Sequence, residues 1–149
     1  MRNTVLDNHK TIAWDIDETL INGPNSRFFR DYIRNNPEKA HFLVTFRTPR
    51  AWAEEALEQL RAHGLDPALI AGVSSVPVDL FSAFANRHEE PSHPLLDDFD
   101  HWKGMEAARL GCTILVDDME ASVIRGCQRH SVTFIHSHHE CFTVEKLVA

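Results

Sequence analysis

Thr11-Ile12-Ala13-Trp14-Asp15-Ile16-Asp17-Glu18-Thr19-Leu20 is the stretch on which the fold turns. Its first four residues form a short apolar run that stops at a carboxylate, the pattern of a buried strand ending at a polar edge. Other runs repeat the form. His41-Phe42-Leu43-Val44-Thr45 ends at a hydroxyl, and Thr113-Ile114-Leu115-Val116 ends at Asp117-Asp118. Val132-Thr133-Phe134-Ile135 is a further strand, and Val73-Ser74-Ser75-Val76 a short one. The runs are continuous rather than alternating, as expected for strands covered on both faces.

Helical patterns lie between these runs. Asn22 to Ser26 is a turn cluster, and Ser26 is placed to cap a helix in which Phe28, Phe29, Tyr32 and Ile33 share one face. That helix should stop at Asn36-Pro37, because a residue before proline is pushed out of the helical region. Thr48 and Pro49 read as N-cap and first residue of a helix through Ala51, Ala53, Leu57 and Leu60 to Gly64. Val78 to Asn86 reads as a helix, Arg87 to Asp100 as a loop, and His101 to Leu110 as a helix closed by Gly111. A last helix is expected from about Glu120 to Gln128, and the tail from Glu140 to Ala149 takes no clear assignment.

Strands alternating with helices predict parallel strands joined by right-handed crossovers. The expected fold is α/β, a Rossmann-like three-layer sandwich with a mainly parallel central sheet, formed as a single domain over residues 1–149. In such sheets a ligand sits beyond the C-terminal ends of the strands. Asp15, Asp17, Thr45, Asp117 and Asp118 all fall there. Lys103, at the start of the helix before the Asp117 strand, is placed to reach the same edge.

Composition narrows the function classes. The net charge of −7 argues against general nucleic-acid binding, which needs clustered Lys and Arg. Arg27, Arg30, Arg34, Arg47 and Arg50 remain candidates for a local basic groove. Cys112, Cys127 and Cys141 fit neither a zinc site nor a disulfide framework and read as reduced thiols of a cytoplasmic protein. The N-terminal stretch from Met1 to Asp7 has no leader-like apolar region, and no run approaches the roughly 18 apolar residues of a membrane span.

Four carboxylates at one sheet edge repel one another, and burying unpaired charge costs several kcal/mol per ion. Cations make the cluster tolerable. Lys103 supplies one charge, and a hard divalent ion such as Mg2+ suits oxygen ligands plus a substrate phosphate. A carboxylate can attack phosphorus and carry the phosphoryl group, while a second carboxyl two residues on protonates the leaving group. A hydroxyl such as that of Thr45 can hold a phosphoryl oxygen, and Arg47, just past it, either touches the phosphate or lies solvated.

At these points the chain resembles the haloacid dehalogenase-like (HAD) phosphatases. Their first motif, a strand followed by Asp-x-Asp-x-Thr, is matched by Asp15-Ile16-Asp17-Glu18-Thr19. Their second, a strand ending in Thr or Ser, is matched by residues 41–45. Lys103 matches the lysine of the third, and Ile114 to Asp118 match the strand and acidic pair of the fourth. The match spans residues 11–118. It implies a HAD-like fold and an Mg2+-dependent phosphomonoesterase. Asp15 would be the nucleophile and Asp17 the general acid, then base. Thr45 and Lys103 would bind the phosphoryl group; Phe46 and Arg47, just past Thr45 in the chain, are further candidates for contact with substrate. The metal would be held by Asp15, the Asp17 backbone carbonyl and the acidic pair Asp117 and Asp118.

Two positions depart from the family pattern. Glu18 stands where many members have Gly, and Phe46 where Gly or Asn often follows the second motif. Only about 25 residues separate the first two motifs, too few for a large cap domain. A capless site would be open to a bulky phosphorylated substrate or be covered by a neighbouring subunit of a homo-oligomer. Alternatives are a nucleotide or polynucleotide-end phosphatase, a non-catalytic phosphate-binding protein on the same fold, and a signalling receiver domain. The receiver is disfavoured by motif order and by Asp17, which receivers lack. His136, His138 and His139 read as part of a solvated tail rather than a metal site, while His88, His93 and His101 lie in or near the long loop. Trp14 and Trp52 read as core or edge packing.

Overall fold

The computed structural model describes residues 3–143. Met1 and Arg2 of the N-terminal stretch, and residues 144–149 of the unassigned tail, lie outside the described residues. Five strands form one sheet: β1 (Thr11–Trp14), β2 (Ala40–Thr45), β3 (Ile70–Ser75), β4 (Ile114–Asp117) and β5 (Thr133–His136). Their order is β3-β2-β1-β4-β5, and every pairing is parallel. The chain winds outward from β1 to β3, then returns to place β4 on the other side of β1. The C-terminal ends of β1 and β4 thus flank the switch point, where open parallel sheets leave a crevice.

The helices are α1 (Ser26–Asn35), α2 (Arg50–Ala62), α3 (Val78–Ala85), α4 (Leu95–Arg109) and α5 (Ile124–Arg129). Successive strand residues point to opposite faces, and two separate cores follow. On one face Ile12, Trp14, Leu43, Ile114 and Val116 pack with Phe28, Phe29, Tyr32 and Ile33 of α1 and Ala56 and Leu60 of α2. On the other, Ala13, Val44 and Leu115 pack with Phe99 and Trp102 of α4 and Cys127 of α5, and Leu80, Phe81 and Phe84 of α3 pack against that cluster. The architecture is therefore α/β with helices on both faces of an all-parallel sheet, and four-residue apolar strands suffice because both faces are covered. Among the described residues no helix is long and apolar enough to cross a membrane. Cys112 and Cys127 are buried free thiols, and Cys141 is a half-buried one.

Several local expectations change. Ser26 is the first residue of α1 and does not cap it. Its Oγ instead accepts from the Gly23 N–H at 2.8 Å and donates to the Thr19 carbonyl at 2.7 Å. Pro49 keeps extended backbone (ψ 172) and is the N-cap of α2, so the helix begins one residue later than predicted. β3 starts at Ile70, three residues before the predicted strand, because it pairs with β2 along its whole length. The predicted loop over 87–100 is shorter, since α4 begins at Leu95. Asp97 and Asp98 suit the positive end of that helix, and Phe99 is fully buried. The predicted helix over 120–128 is divided: a 3-10 turn at Glu120–Ser122 gives way at Val123, which leaves helical geometry before α5 begins. Trp14 is core as expected, whereas Trp52 is an exposed side chain on α2.

The seat of α4 depends on two glycines. A Cβ added to Gly104 would lie 2.1 Å from the Gly126 carbonyl carbon, and one added to Gly126 would lie 2.6 Å from the His101 oxygen. Backbone cannot give way as a side chain tip can, so α4 and α5 meet only with glycine at the contact. Gly104→Ala is expected to force the helices apart at a cost of about 1–3 kcal/mol. Thermal unfolding would register it as a fall in Tm of roughly 4 °C per kcal/mol.

Candidate active site

Ala13 and Leu115 face α4, so Asp15 and Asp117, two residues further along their chains, turn to the same side of the sheet. The Asp15 N–H donates to the Val116 carbonyl at 2.9 Å, which fixes the end of β1 against β4. Lys103 lies well inside α4, not at its start as the sequence suggested. Its Nζ donates to Asp15 Oδ1 at 2.9 Å and to Asp117 Oδ2 at 2.5 Å. The three groups are closed off from water, with Asp15 5%, Lys103 1% and Asp117 0% exposed. The other oxygen of Asp117 accepts the Met119 N–H at 2.9 Å. Asp117 thus also holds the turn that follows β4.

Burial works against the Lys103 ammonium, but Asp117 and Asp15 outweigh it and raise its pKa. Asp15 is pushed well above the ordinary carboxylate range, first by burial and then by the charge of Asp117, with Lys103 offsetting only part. One lysine therefore does not balance the site. Asp118, half-buried, completes a group in which Asp15, Asp117 and Asp118 each offer an oxygen within 4.8 Å of the others. Hard oxygen donors of this kind suit a divalent cation such as magnesium. The Asp17 carboxylate does not belong to that group.

Asp17 points elsewhere. Its carboxylate is 57% exposed and receives two bonds from Arg47, Nε to Oδ2 at 3.0 Å and Nη2 to Oδ1 at 2.7 Å. The hydrogen bond to Asp17 is the main cause of a raised Arg47 pKa. Such an exposed pair is worth about 0–1 kcal/mol, so an incoming anion can compete for the guanidinium. The Arg47 N–H donates to Thr45 Oγ1 at 2.9 Å, and Ser75 Oγ donates to the Arg47 carbonyl at 2.5 Å. Thr45 itself is buried.

The turn between the two aspartates and α1 is tightly wound. The Ile16 carbonyl accepts from Leu20 and Ile21, and the Glu18 N–H donates to the Ile21 carbonyl at 2.8 Å. Glu18 has φ +61, a left-handed conformation in which glycine is most at ease. That accounts physically for the glycine expected at this position. Gly23 packs so closely on this turn that a Cβ there would lie 2.1 Å from the Glu18 oxygen. The Glu18 carbonyl is held from outside as well, by Ser137 Oγ at 3.3 Å and His138 Nε2 at 3.1 Å. His138 is exposed as expected, but it braces the turn after Asp15 rather than belonging to a solvated tail. Thr19 is fully buried, and its hydroxyl has no hydrogen-bond partner among the described residues.

Asp15, Asp17, Thr45, Phe46, Arg47 and Asp118 line one cavity of about 280 Å3. Two residues not singled out from the sequence complete its wall: Phe81 of α3 and Met119 after β4. Phe81 lies in the segment that the sequence reads as a helix over Val78 to Asn86, and its only signal was the apolar i, i+3 spacing with Phe84. Phe46 is half-buried, with Lys103 Nζ 4.2 Å over its ring and Phe99 stacked on it at 4.3 Å. Phe84 continues the stack on Phe99, also at 4.3 Å. A larger cavity, about 600 Å3, lies among α3, α4 and α5 beside Leu80, Trp102 and Arg129, and contains none of the predicted site residues.

Of the five arginines proposed for a basic groove, only Arg47 reaches this cavity. Arg30 donates to the Leu20 carbonyl, Arg34 pairs with Asp31, and Arg50 pairs with Glu54 along α2, while Arg27 is exposed on α1. His101 bonds the Asp97 carbonyl within α4. Among the described residues the histidines at 136, 138 and 139 form no metal-ligating group. Comparison with protein-family models, with curated proteins and with solved structures finds no match.

Two stability measurements test this charge arrangement in protein freed of metal. Lys103→Met leaves two buried carboxylates facing each other and should cost about 3–5 kcal/mol. Asp15→Asn should do the opposite at neutral pH. A carboxyl whose pKa is raised by folding stabilises the native state below its unfolded pKa, and that contribution is lost as pH rises through the folded pKa. The Asn variant should therefore melt above the wild type at pH 7, and the gain should vanish in acid, where wild-type Asp15 is already protonated. An Asp15→Asn protein that melts lower than wild type at pH 7 contradicts the assignment.

Proposed function

We propose that this chain is a magnesium-dependent phosphomonoesterase that works through an aspartyl-phosphate on Asp15. The observation that carries the reading is the Lys103 ammonium buried between Asp15 and Asp117, with Asp15 lining a cavity that also holds Asp17, Thr45 and Asp118. The resemblance to HAD phosphatases in the sequence supports it, because these are the residues that the motifs select. The unbalanced negative charge around Asp15 supports a cation as part of the working site.

Asp15, the Asp17 backbone carbonyl, Asp117 and Asp118 would hold Mg2+, whose charge offsets that of the phosphoryl oxygens in the transition state. The protein's own groups divide the remaining work. Lys103 keeps the Asp15 carboxylate oriented and places a positive charge beside the transferring group. The Thr45 hydroxyl and Arg47 guanidinium hold phosphoryl oxygens. An Asp15 oxygen bonds to phosphorus as the bond to the leaving oxygen breaks, and Asp17 gives that oxygen its proton. In the second half Asp17, now a carboxylate, takes a proton from water. The water oxygen bonds to phosphorus, the bond to Asp15 breaks, and inorganic phosphate leaves.

The arrangement suits the two carboxylates to different tasks. Asp15 is buried and immobilised, as a nucleophile should be, whereas Asp17 sits at the open side where leaving group and water arrive. Arg47 links them by binding Asp17 now and a phosphoryl oxygen when substrate is present. Residues 77–100 reach the cavity through Phe81.

Hydrolysis of p-nitrophenyl phosphate by the purified chain tests the reading. Activity should require Mg2+, disappear with chelator and be inhibited by excess Ca2+. Asp15→Asn should reduce turnover to background. Asp17→Asn should lower kcat by about 10²–10⁴-fold while leaving binding of a phosphate analogue largely intact. Full turnover in Asp15→Asn would overturn the proposal.

A further inference from the structure

The wall of the active-site cavity is built for a particular kind of leaving group. Besides Asp15, Asp17, Thr45, Arg47 and Asp118, the cavity is lined by Phe46, Phe81 and Met119, from three separate parts of the chain. Phe46 has no ring face to offer. Phe99 stacks on it at 4.3 Å with an interplanar angle of 23°, and the Lys103 ammonium stands 4.2 Å over the same ring. Two groups at that height cannot share one face, so both faces are occupied and only the ring edge is left for the cavity.

Phe81 differs. It is half-buried, and its ring meets Phe84 at a centroid distance of 6.4 Å and a tilt of 50°. Among the described residues no aromatic ring stacks on it. An aromatic group entering the cavity would meet the Phe81 ring, the Phe46 ring and the thioether of Met119. Offset stacking, edge-to-face contact and sulfur against a ring edge are each favourable arrangements.

Charge and size narrow the choice further. Among the described residues Arg47 is the only cationic side chain lining the cavity, and it is already shared with Asp17. A leaving group carrying its own phosphate or carboxylate would meet Asp17 and Asp118 with no unshared cation among the described lining residues to receive it. The cavity, about 280 Å3, lies at the low end of the roughly 300–1,000 Å3 typical of ligand sites. It has room for a phosphoryl group and about one ring.

We infer that Phe81 is a specificity-determining residue and that the substrate class is phosphate monoesters of uncharged alcohols bearing a single flat aromatic ring next to the ester oxygen. The inference rests on the phosphomonoesterase reading. The bond broken is the P–O bond to that alcohol, and the proton from Asp17 completes it, so no co-reactant beyond water is required.

Benzyl phosphate and n-propyl phosphate separate binding from leaving-group chemistry, because both release simple primary alcohols. With Mg2+ present, kcat/KM for the benzyl ester should exceed that for the propyl ester by about tenfold. Phe81→Leu keeps an apolar side chain but removes the ring, and should bring the ratio close to one. Phe81→Trp should keep the preference, which shows that the ring and not a change in folding is responsible. Equal efficiencies in the wild type, or a benzyl preference untouched in Phe81→Leu, would overturn this inference alone. Failure of the wild type to turn over either ester would overturn the phosphohydrolase reading and this one with it.

Discussion

Lys103 lies between Asp15 and Asp117 with almost no access to water, and the fold around it answers to that arrangement. Charges in a low-dielectric interior are costly to place and strongly coupled once there. Each of the three must be held where its partners are. The parallel sheet supplies two of them by setting β1 and β4 side by side at the switch point, with the carboxylates two residues past the core positions Ala13 and Leu115. The third comes from the middle of α4, which must lie close enough to the sheet edge for a lysine to reach both. Gly104, next in the chain to Lys103, lets α4 meet α5 backbone to backbone. Phe46 covers the ammonium from the open side. A structure arranged in this way accepts electrostatic strain at one point and offsets it with two apolar cores.

The same geometry gives two aspartates only two residues apart quite different surroundings. Asp15 ends a strand and is enclosed, while Asp17 stands on a wound turn and is open. Sites that need one carboxyl to attack and another to exchange protons commonly separate them by environment rather than by residue type. The turn that achieves this is braced from several sides. Gly23 in the turn before α1 and Ser26 at its first residue support it, and Ser137 and His138 hold the Glu18 carbonyl from the segment after β5. Glu18 itself sits in a left-handed conformation that its residue type tolerates but does not favour. The bracing is what makes that tolerable.

Residues 77–100 connect to the site through aromatic rings. Phe84 stacks on Phe99, Phe99 on Phe46, and Phe46 on the ammonium of Lys103. This segment was the least readable part of the chain, yet it forms one wall of the cavity and packs against the residue that closes the other. Its helix over 95–100 was missed because the Pro, His and acidic content of the stretch resembles a loop. The acidic residues there serve a helix N-terminus, and the one deeply buried ring, Phe99, carries too little pattern to be recognised alone.

The sequence by itself determined the strand–helix alternation, the parallel sheet and the gathering of Asp15, Thr45, Asp117 and Asp118 at its C-terminal edge. These features are local: apolar runs mark strands, and a polar residue at the end of a run falls at the sheet edge wherever the strand is placed. Only the tertiary structure decided that Arg47 binds Asp17, that the other four arginines lie elsewhere, that His138 braces Glu18, and that Phe81 and Met119 complete the cavity. Those contacts join residues far apart in the chain through side-chain directions, and spacing along a sequence does not encode which of several exposed groups will meet. Lys103 stands between the two cases. Its residue type and place before β4 were legible, but its depth in α4 and its burial between two carboxylates follow from how closely two glycines let the helices approach.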